Sequence, residues 1–200
     1  TLALASTVEY NGINQTVSAQ SFGNLIFSSG SGASVKTMPA TAITIEGNFT
    51  SNIGTGTSVS FTAASALTIN GNVNLGVSTT FNGNSHSHTI RGNWVNNGTF
   101  TGSTSTVLFD GPSLEISGSG TQNFNNVSFL RFGITATGNL NVSGDLVTNG
   151  AGQFTHNSGG LITMTGTAKT ITGTDIFFSS LTISGSVTTN TSFTISSNLS

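Results

Sequence analysis

Residues 43–49 read Ile43-Thr44-Ile45-Glu46-Gly47-Asn48-Phe49. Apolar and polar residues alternate over the first three positions, which is the pattern of a short strand with one buried face. Gly47 and Asn48 follow, and these residue types accept the turn conformations that others resist. The segment therefore predicts a short strand that ends in a sharp corner and leads directly into the next apolar position.

The same phrase recurs along the chain. Its further copies are Leu67-Thr68-Ile69-Asn70-Gly71-Asn72-Val73, Thr89-Ile90-Arg91-Gly92-Asn93-Trp94, Leu140-Asn141-Val142-Ser143-Gly144-Asp145-Leu146 and, in weaker form, Phe193-Thr194-Ile195-Ser196-Ser197-Asn198-Leu199. From each corner residue to the next, in the order Gly47, Gly71, Gly92, Gly144 and Ser197, the sequence number rises by 24, 21, 52 and 53. We interpret the two longer spacings as two periods each, which makes the mean period about 25 residues.

Short strands repeated at this period are typical of a solenoid whose strands pair in parallel with their equivalents in the next coil. The sequence predicts an all-β parallel β-helix, right-handed as parallel crossovers usually are, with about eight coils of about 20–26 residues. Residues 1–200 would form a single solenoid segment, which we expect to be a fragment of a longer repeat array. A β-sandwich is the alternative fold, but it predicts hairpins without a long sequence period.

Strand alternation also predicts which side chains point inward. The expected core residues are the apolar residues that flank the middle position of each repeated strand, together with a series of phenylalanines: Ile43, Ile45, Leu67, Ile69, Leu140, Val142, Leu181, Ile183, Phe193, Ile195, Phe22, Phe27, Phe61, Phe81, Phe100, Phe109, Phe124, Phe129, Phe154 and Phe178. Trp94 occupies the place of Phe49 in the phrase and is assigned to the core as well. Asparagines on equivalent corners are expected to stack into ladders of side-chain hydrogen bonds, as in cross-β assemblies.

Composition excludes several classes of function. Charged residues make up 5% of the chain, with four basic and six acidic side chains and no cysteine. Nucleic acid requires clustered cations, so the sequence predicts no nucleic-acid partner. Apolar runs are only a few residues long, so no membrane insertion is expected. The absence of cysteine leaves the cellular compartment open.

Few residues suggest site chemistry. His86-Ser87-His88 would place two imidazoles on one strand face, half of a metal site, but zinc needs three or four ligands and His156 is distant in sequence. A pair of solvated surface histidines is the simpler interpretation. Asp110 and Glu115 are the closest acidic pair, whereas the four cations are scattered singly. The sequence therefore predicts no catalytic residue, no cofactor site and no metal site, and hence no enzyme.

Threonine spacing indicates an alternative function. Thr-x-Thr occurs at 55/57, 99/101, 135/137, 163/165, 170/172 and 189/191. A β-helix face with such a pair in every coil would suit ice binding, and outward polar or aromatic residues would suit polysaccharide binding. The pairs do not fall at one fixed place in the period, so ice or polysaccharide binding stands as the second hypothesis.

A longer composite phrase carries a family resemblance. It combines Thr106-Val107-Leu108-Phe109-Asp110-Gly111, Lys169-Thr170-Ile171-Thr172-Gly173 and Phe178-Ser179-Ser180-Leu181-Thr182-Ile183 with related copies elsewhere. This phrase resembles the repeat regions of very large secreted or cell-surface adhesin-like β-solenoid proteins of Bacteroidota-type bacteria. The copy that begins at Thr106 departs from the phrase: where the first copy, which begins at Thr7, has Gln15-Thr16-Val17, this copy has Leu114-Glu115-Ile116 and Thr121-Gln122-Asn123.

The resemblance implies export to the cell surface or beyond and a role in adhesion or filament building. We therefore expect a non-catalytic structural and adhesive module. Its expected partners are copies of itself stacked end to end or adjoining repeats of the same chain, and surface glycans are a candidate ligand.

Overall fold

The computed structural model describes residues 5–51, 57–149, 153–157 and 159–200, and every regular element in these ranges is a β-strand. In chain order the strands are β1 Thr7–Tyr10, β2 Asn14–Thr16, β3 Asn24–Phe27, β4 Ala33–Thr37, β5 Ile43–Ile45, β6 Phe49–Ser51, β7 Ser58–Thr62, β8 Leu67–Ile69, β9 Val73–Leu75, β10 Thr79–Asn82, β11 Ser87–Ile90, β12 Trp94–Asn96, β13 Thr99–Thr101, β14 Thr106–Phe109, β15 Glu115–Ser117, β16 Thr121–Phe124, β17 Asn126–Phe129, β18 Ile134–Ala136, β19 Leu140–Val142, β20 Leu146–Thr148, β21 Phe154–His156, β22 Leu161–Met164, β23 Lys169–Thr172, β24 Ile176–Ile183, β25 Val187–Thr189 and β26 Phe193–Leu199. The described part of the chain contains no helix long and apolar enough to cross a membrane.

The strands form three parallel stacks, which we call sheets 1, 2 and 3, and each coil passes through them in that order. Sheet 1 contains β1, β3, β6, β9, β12, β15, β18 and β21, sheet 2 contains β2, β4, β7, β10, β13, β16, β19 and β22, and sheet 3 contains β5, β8, β11, β14, β17, β20, β23 and β25. The long strands β24 and β26 run through both sheets 1 and 2 and join them into one. The chain makes about nine turns, which at ~4.8 Å per rung is a rod of about 43 Å. The prediction of a parallel β-helix is confirmed.

The coils at the two ends are shorter than the sequence predicts. One column of sheet 1 stacks Val8, Leu25, Phe49, Val73, Trp94, Ile116 and Ala136, and from each member to the next the sequence number rises by 17, 24, 24, 21, 22 and 20. The last described coil, from Ile176 to Phe193, is as short as the first. Both end coils therefore fall below the predicted coil length, and one interior coil does so as well, since Asn123 stacks on Asn141 after 18 residues.

The repeated phrase does not stay on one sheet, so our interpretation of its longer spacings is wrong. Ile43–Ile45, Leu67–Ile69 and Thr89–Ile90 stack in sheet 3. The copy at Leu140–Val142 is β19 of sheet 2, and the copy at Phe193–Ile195 begins β26 in sheet 1. Each of these two later copies lies eight sheet positions beyond the copy before it, and three positions make one coil. The longer spacings therefore correspond to two and two-thirds coils rather than to two.

The core is one continuous column of apolar side chains. All ten phenylalanines of the predicted series from Phe22 to Phe178 are buried, as are the predicted aliphatic residues up to Leu181, whereas Ile183, Phe193 and Ile195 in the terminal coils are partly buried. Aromatic rings contact one another from coil to coil, and the Phe129 and Phe154 rings stack with centroids 4.0 Å apart and planes at 2°. Trp94 is buried as predicted, and its indole Nε1–H donates to Gln122 Oε1 at 2.8 Å.

The asparagines of the Gly-Asn corners stack as predicted, but each side chain bonds to the backbone of the next coil and not to its side chain. The Oδ1 atoms of Asn24, Asn48 and Asn72 each accept the backbone N–H of the next asparagine at 2.8, 2.8 and 2.9 Å, and Asn93 continues the ladder to the N–H of Glu115 at 2.8 Å. The glycines before them stack backbone on backbone, so a Cβ on Gly71 would lie 2.4 Å from the carbonyl oxygen of Gly47. Close approach between coils thus requires glycine at this corner.

Candidate functional site

The predicted histidine pair does not exist as a strand-face pair. His88 in β11 points into the core and is 1% exposed, whereas His86 lies in the bend before the strand. The His88 ring Nδ1 accepts the N–H of Leu67 at 3.3 Å, which leaves Nε2 to donate to the carbonyl of Gly83 at 2.8 Å. Burial lowers the pKa of His88, which favours the neutral ring. Both interpretations of the pair, half a metal site and two solvated side chains, are wrong for His88.

His156 lies elsewhere, in β21. Its ring is buried, and Nε2 is 2.7 Å from the carbonyl oxygen of Gly138. Burial lowers the pKa of His156 as it does that of His88. Among the described residues, no three His, Asp or Glu side chains lie close enough together to hold a metal ion.

Two of the cations are not scattered singly but meet around one carboxylate. The Asp110 carboxylate accepts from Arg91 Nε at 3.1 Å and from Arg131 Nε at 2.7 Å. Arg91 also donates to Asn70, which in turn donates to Glu46 at 2.6 Å. Burial alone would raise the pKa of Asp110, but the two arginines outweigh it and hold the pKa below its usual value. This chain of contacts links five coils, and the carboxylate at its centre is engaged within the fold.

The Thr-x-Thr pairs lie on all three sheets. Thr99 and Thr101 are in β13 of sheet 2, Thr135 is in sheet 1, and Thr170 and Thr172 are in sheet 3. Thr55 of the first pair lies outside the described residues. The pairs as such therefore do not build one surface, as the sequence indicated.

A wider polar pattern does build one surface, on the outside of sheet 2. The outward residues form two columns, and the column that we call column B is stacked without a break as Thr16, Thr37, Thr62, Asn82, Thr101, Asn123, Asn141, Thr163 and Thr182. Column A, two residues earlier in each strand, runs as Asn14, Val35, Ser60, Thr80, Thr99 and Thr121 and resumes as Leu161, Ser180 and Asn198. We call the two columns together the polar face. Every member of column B is Thr or Asn, and neither column contains a charged residue.

Five of the six threonines of column B are free to meet a ligand, the exception being Thr182, whose hydroxyl pairs with that of Ser200. The side chains of Thr16, Thr37, Thr62, Thr101 and Thr163 make no hydrogen bond to another described residue. The asparagines are fixed instead, as in the bond from Asn141 Nδ2 to Asn123 Oδ1 at 2.8 Å. The polar face therefore combines pre-positioned amides with unengaged hydroxyls.

Two shallow openings lie along the polar face. One opening, of about 450 Å³, lies at β4, β7 and β10 and is lined by Val35, Ser60 and Thr80 of column A and by Thr37, Thr62 and Asn82 of column B. A second opening of about 380 Å³ lies farther along the same face beside Thr101, Asn123 and Asn141. Each opening touches column B on three successive rungs, so an ordered ligand would meet equivalent positions from rung to rung.

Both ends of the rod expose apolar side chains and strand edges. Among the described residues, no strand pairs with the outer edge of β1 or of β26. Val8 and Tyr10 at one end and Val187, Phe193 and Ile195 at the other are only partly buried. In sheet 2 the interior becomes polar toward the first coil, where the buried Lys36 ammonium donates to the carbonyl of Gly12 and to Gln15 Oε1 at 3.1 Å.

The polar face was missed in the sequence because it contains few strict Thr-x-Thr pairs. A detectable signal lies around the inward phenylalanines, as Ser60-Phe61-Thr62, Thr80-Phe81-Asn82 and Thr99-Phe100-Thr101, which place polar residues on both sides of a core position. Aligning the coils on these phenylalanines would have brought the two columns together.

Comparison with known proteins finds no family model that matches the chain, no matching curated protein and no matching solved structure. The geometry of the polar face and of the rod ends therefore carries the functional argument.

Proposed function

We propose that this chain is a non-catalytic structural and adhesive module of a cell-surface or extracellular filament. The observation that carries the proposal is the pair of open rod ends, each with a parallel strand edge that no described strand covers and with partly buried apolar side chains. An unpaired edge is a template for further pairing, and a solenoid without caps leaves part of its core in water. A further coil on each end, from adjoining repeats or from another copy, would satisfy both.

The two ends are compatible with head-to-tail stacking. Val8 begins the inward column of sheet 1, and Ile195, which pairs with Phe178, lies in the inward row at the other end. A second copy stacked in the same direction would place its first sheet-1 strand on β26 and cover Ile195. Such contacts join two different surfaces and do not close, so they extend into a filament.

The assignment to the cell surface rests on the resemblance of the composite phrase to adhesin-like repeats and on the low charge of the chain. Surface glycans are a candidate partner along the sides of the rod. We assign no catalytic residue, since His88 and Asp110 are both engaged within the fold.

A charge placed inside the terminal rung tests the stacking. Ile195→Lys puts an ammonium group in the path of the next coil, and the open end lets the side chain reach water without unfolding the rod. Thr194→Lys is the matched control, because it adds the same charge to the same strand but points outward from an exposed position. The test is electron microscopy of the 200-residue chain over a range of concentrations.

We expect the unaltered chain and Thr194→Lys to form rods that lengthen with concentration and show ~4.8 Å layering, whereas Ile195→Lys stays at the length of one copy. Particles of one fixed length at every concentration for the unaltered chain would overturn the stacking proposal. Equal shortening by both lysine variants would also overturn it, since the added charge would then act regardless of whether it lies on the inner or the outer side of the strand.

A further inference from the structure

The polar face of sheet 2 has a composition that restricts its ligand. Nine successive rungs of column B carry only Thr or Asn, and neither column contains Lys, Arg, Asp or Glu. A charged ligand would lose its hydration here without gaining an ion pair. The chemistry therefore suits an uncharged partner that both donates and accepts hydrogen bonds, as hydroxyl and amide groups do.

The spacing of the face restricts the ligand further. Rungs repeat at ~4.8 Å along the axis, and columns A and B, two residues apart, lie roughly 6.6 Å apart. In a tetrahedral water network with hydrogen bonds of about 2.75 Å, second-neighbour oxygens are about 4.5 Å apart within a layer. The stacking of these layers repeats about every 7.3 Å. The two grids agree to within about one part in ten in both directions.

The remaining mismatch between the rung spacing and the water lattice limits how many rungs of the polar face can match the lattice at once. The difference along the axis is about 0.3 Å per rung, so positions stay within about 1 Å of registry for three rungs on either side of a matched one. Centred on β13, that range covers the seven rungs from β4 to β22, which contain Thr37, Thr62, Thr101 and Thr163 of column B. Most of the face can therefore match one ordered water lattice simultaneously.

The side chains are also held in place before binding. Threonine is stiff at χ1, and Thr101 and Thr163 are half-buried between neighbouring rungs, so ordering them on a surface costs little entropy. The threonine methyl groups add apolar contact beside each hydroxyl.

A polysaccharide fits the face less well. Sugar rings commonly stack on aromatic side chains, and the exposed aromatic residues Phe132 and Phe177 lie in the turn before β18 and on sheet 1, not on the polar face. We propose that the polar face of sheet 2 binds the surface of ice. This function goes beyond the structural role proposed above and does not depend on end-to-end stacking.

The test uses the 200-residue chain and a growing ice crystal. The protein is labelled with a fluorophore, a single ice crystal is grown slowly from dilute solution, and the protein incorporated into the ice is compared with that left in the liquid. Thr101→Tyr places a bulky ring in the middle of column B. Thr89→Tyr is the matched control, because Thr89 is an outward, half-buried threonine in the neighbouring coil but on sheet 3, where its column continues with Leu108, Ser128 and Val147 instead of a long row of Thr and Asn.

We expect the unaltered chain and Thr89→Tyr to be enriched in the ice, and Thr101→Tyr to lose most of that enrichment with an unchanged circular dichroism spectrum. Exclusion of the unaltered chain from ice to the same degree as an unrelated soluble protein would overturn the proposal. So would an equal loss in both tyrosine variants. Retention on insoluble neutral polysaccharide together with exclusion from ice would assign the face to glycans and refute ice binding.

Discussion

Removal of one ring from the aromatic column should cost far more than removal of an exposed ring nearby. Phe129 is 1% exposed, stacks on Phe154 at 4.0 Å and lies 5.8 Å from the Phe109 ring. Phe132, three residues later, is 64% exposed. The two Phe→Ala changes therefore remove the same atoms from opposite environments in adjacent parts of the chain.

The magnitude follows from burial and from the rigidity of the stack. A buried Phe→Ala change costs about 3 to 5 kcal/mol, and each aromatic pair adds about 0.5 to 1.5 kcal/mol to the plain burial term. Backbone ladders above and below hold the rungs at their spacing, so the cavity cannot collapse, and Phe129→Ala should cost about 4 kcal/mol or more. Phe132→Ala should stay within about 0.5 kcal/mol.

Urea unfolding of the two variants measures the difference. Trp94, the single tryptophan of the chain, is buried one coil away and reports loss of the core by fluorescence, while circular dichroism reports the strands. In a thermal scan, 4 kcal/mol corresponds to a fall in Tm of about 8 to 16 °C for a domain of this size. A loss of less than about 1 kcal/mol for Phe129→Ala, or an equal loss for Phe132→Ala, would refute the assignment of the aromatic column as the core.

Three further predictions concern the corners and the titratable groups. Gly71→Ala should cost about 1 to 3 kcal/mol in urea unfolding because its Cβ would meet backbone atoms at 2.4 Å, whereas Gly30→Ala, whose Cβ would lie 3.6 Å from its nearest neighbour, should be close to neutral. Burial lowers the pKa of His88, so the stability that the neutral ring contributes is full above the ordinary histidine pKa of about 6.5 and is lost as the pH falls below it. His88→Gln removes this group and should therefore flatten the fall in urea midpoint between about pH 7 and pH 5. The pKa of Asp110 is held low by its two arginines despite burial, so its stabilisation is present at neutral pH and lost in acid. Asp110→Asn should cost no more than about 1 kcal/mol at neutral pH, because both arginine side chains are about half exposed and water screens the ion pairs, and it should cost nothing once the carboxyl is protonated in both states.

The core and the corners could be predicted because both depend on local sequence. Alternation around Phe61, Phe81 or Phe100 requires only that a strand has one inner side, and the structure buries all three. Gly47 and Asn48 likewise satisfy a local demand, a turn that brings successive backbones into contact. No knowledge of the neighbouring coil was needed for either.

The sheet to which each strand belongs could not be predicted, since all three corners make the same local demand. The phrase at Leu140–Val142 folds in sheet 2 as readily as the phrase at Ile43–Ile45 folds in sheet 3. Turn length decides the face, and among the described turns from sheet 1 to sheet 2 it varies from two residues between β12 and β13 to five between β3 and β4. An error of a few residues in coil length therefore hid the polar face, because its columns appear only when the rungs are aligned.

End-to-end stacking and ice binding depend on rod length in different ways. The mismatch between the rung spacing and the water lattice determines how a longer rod affects ice binding. Column B spans eight steps from Thr16 to Thr182, over which a mismatch of about 0.3 Å per rung accumulates to about 2.4 Å, or half of a water-lattice repeat. One copy therefore already contains about one matched patch, and lengthening it cannot enlarge that patch. Stacked copies would instead repeat the patch along a filament, so that several patches engage one crystal and raise the avidity without any new type of contact. In such a filament the rods would be held together by contacts between their ends, and the sheet 2 faces along its side would bind the ice.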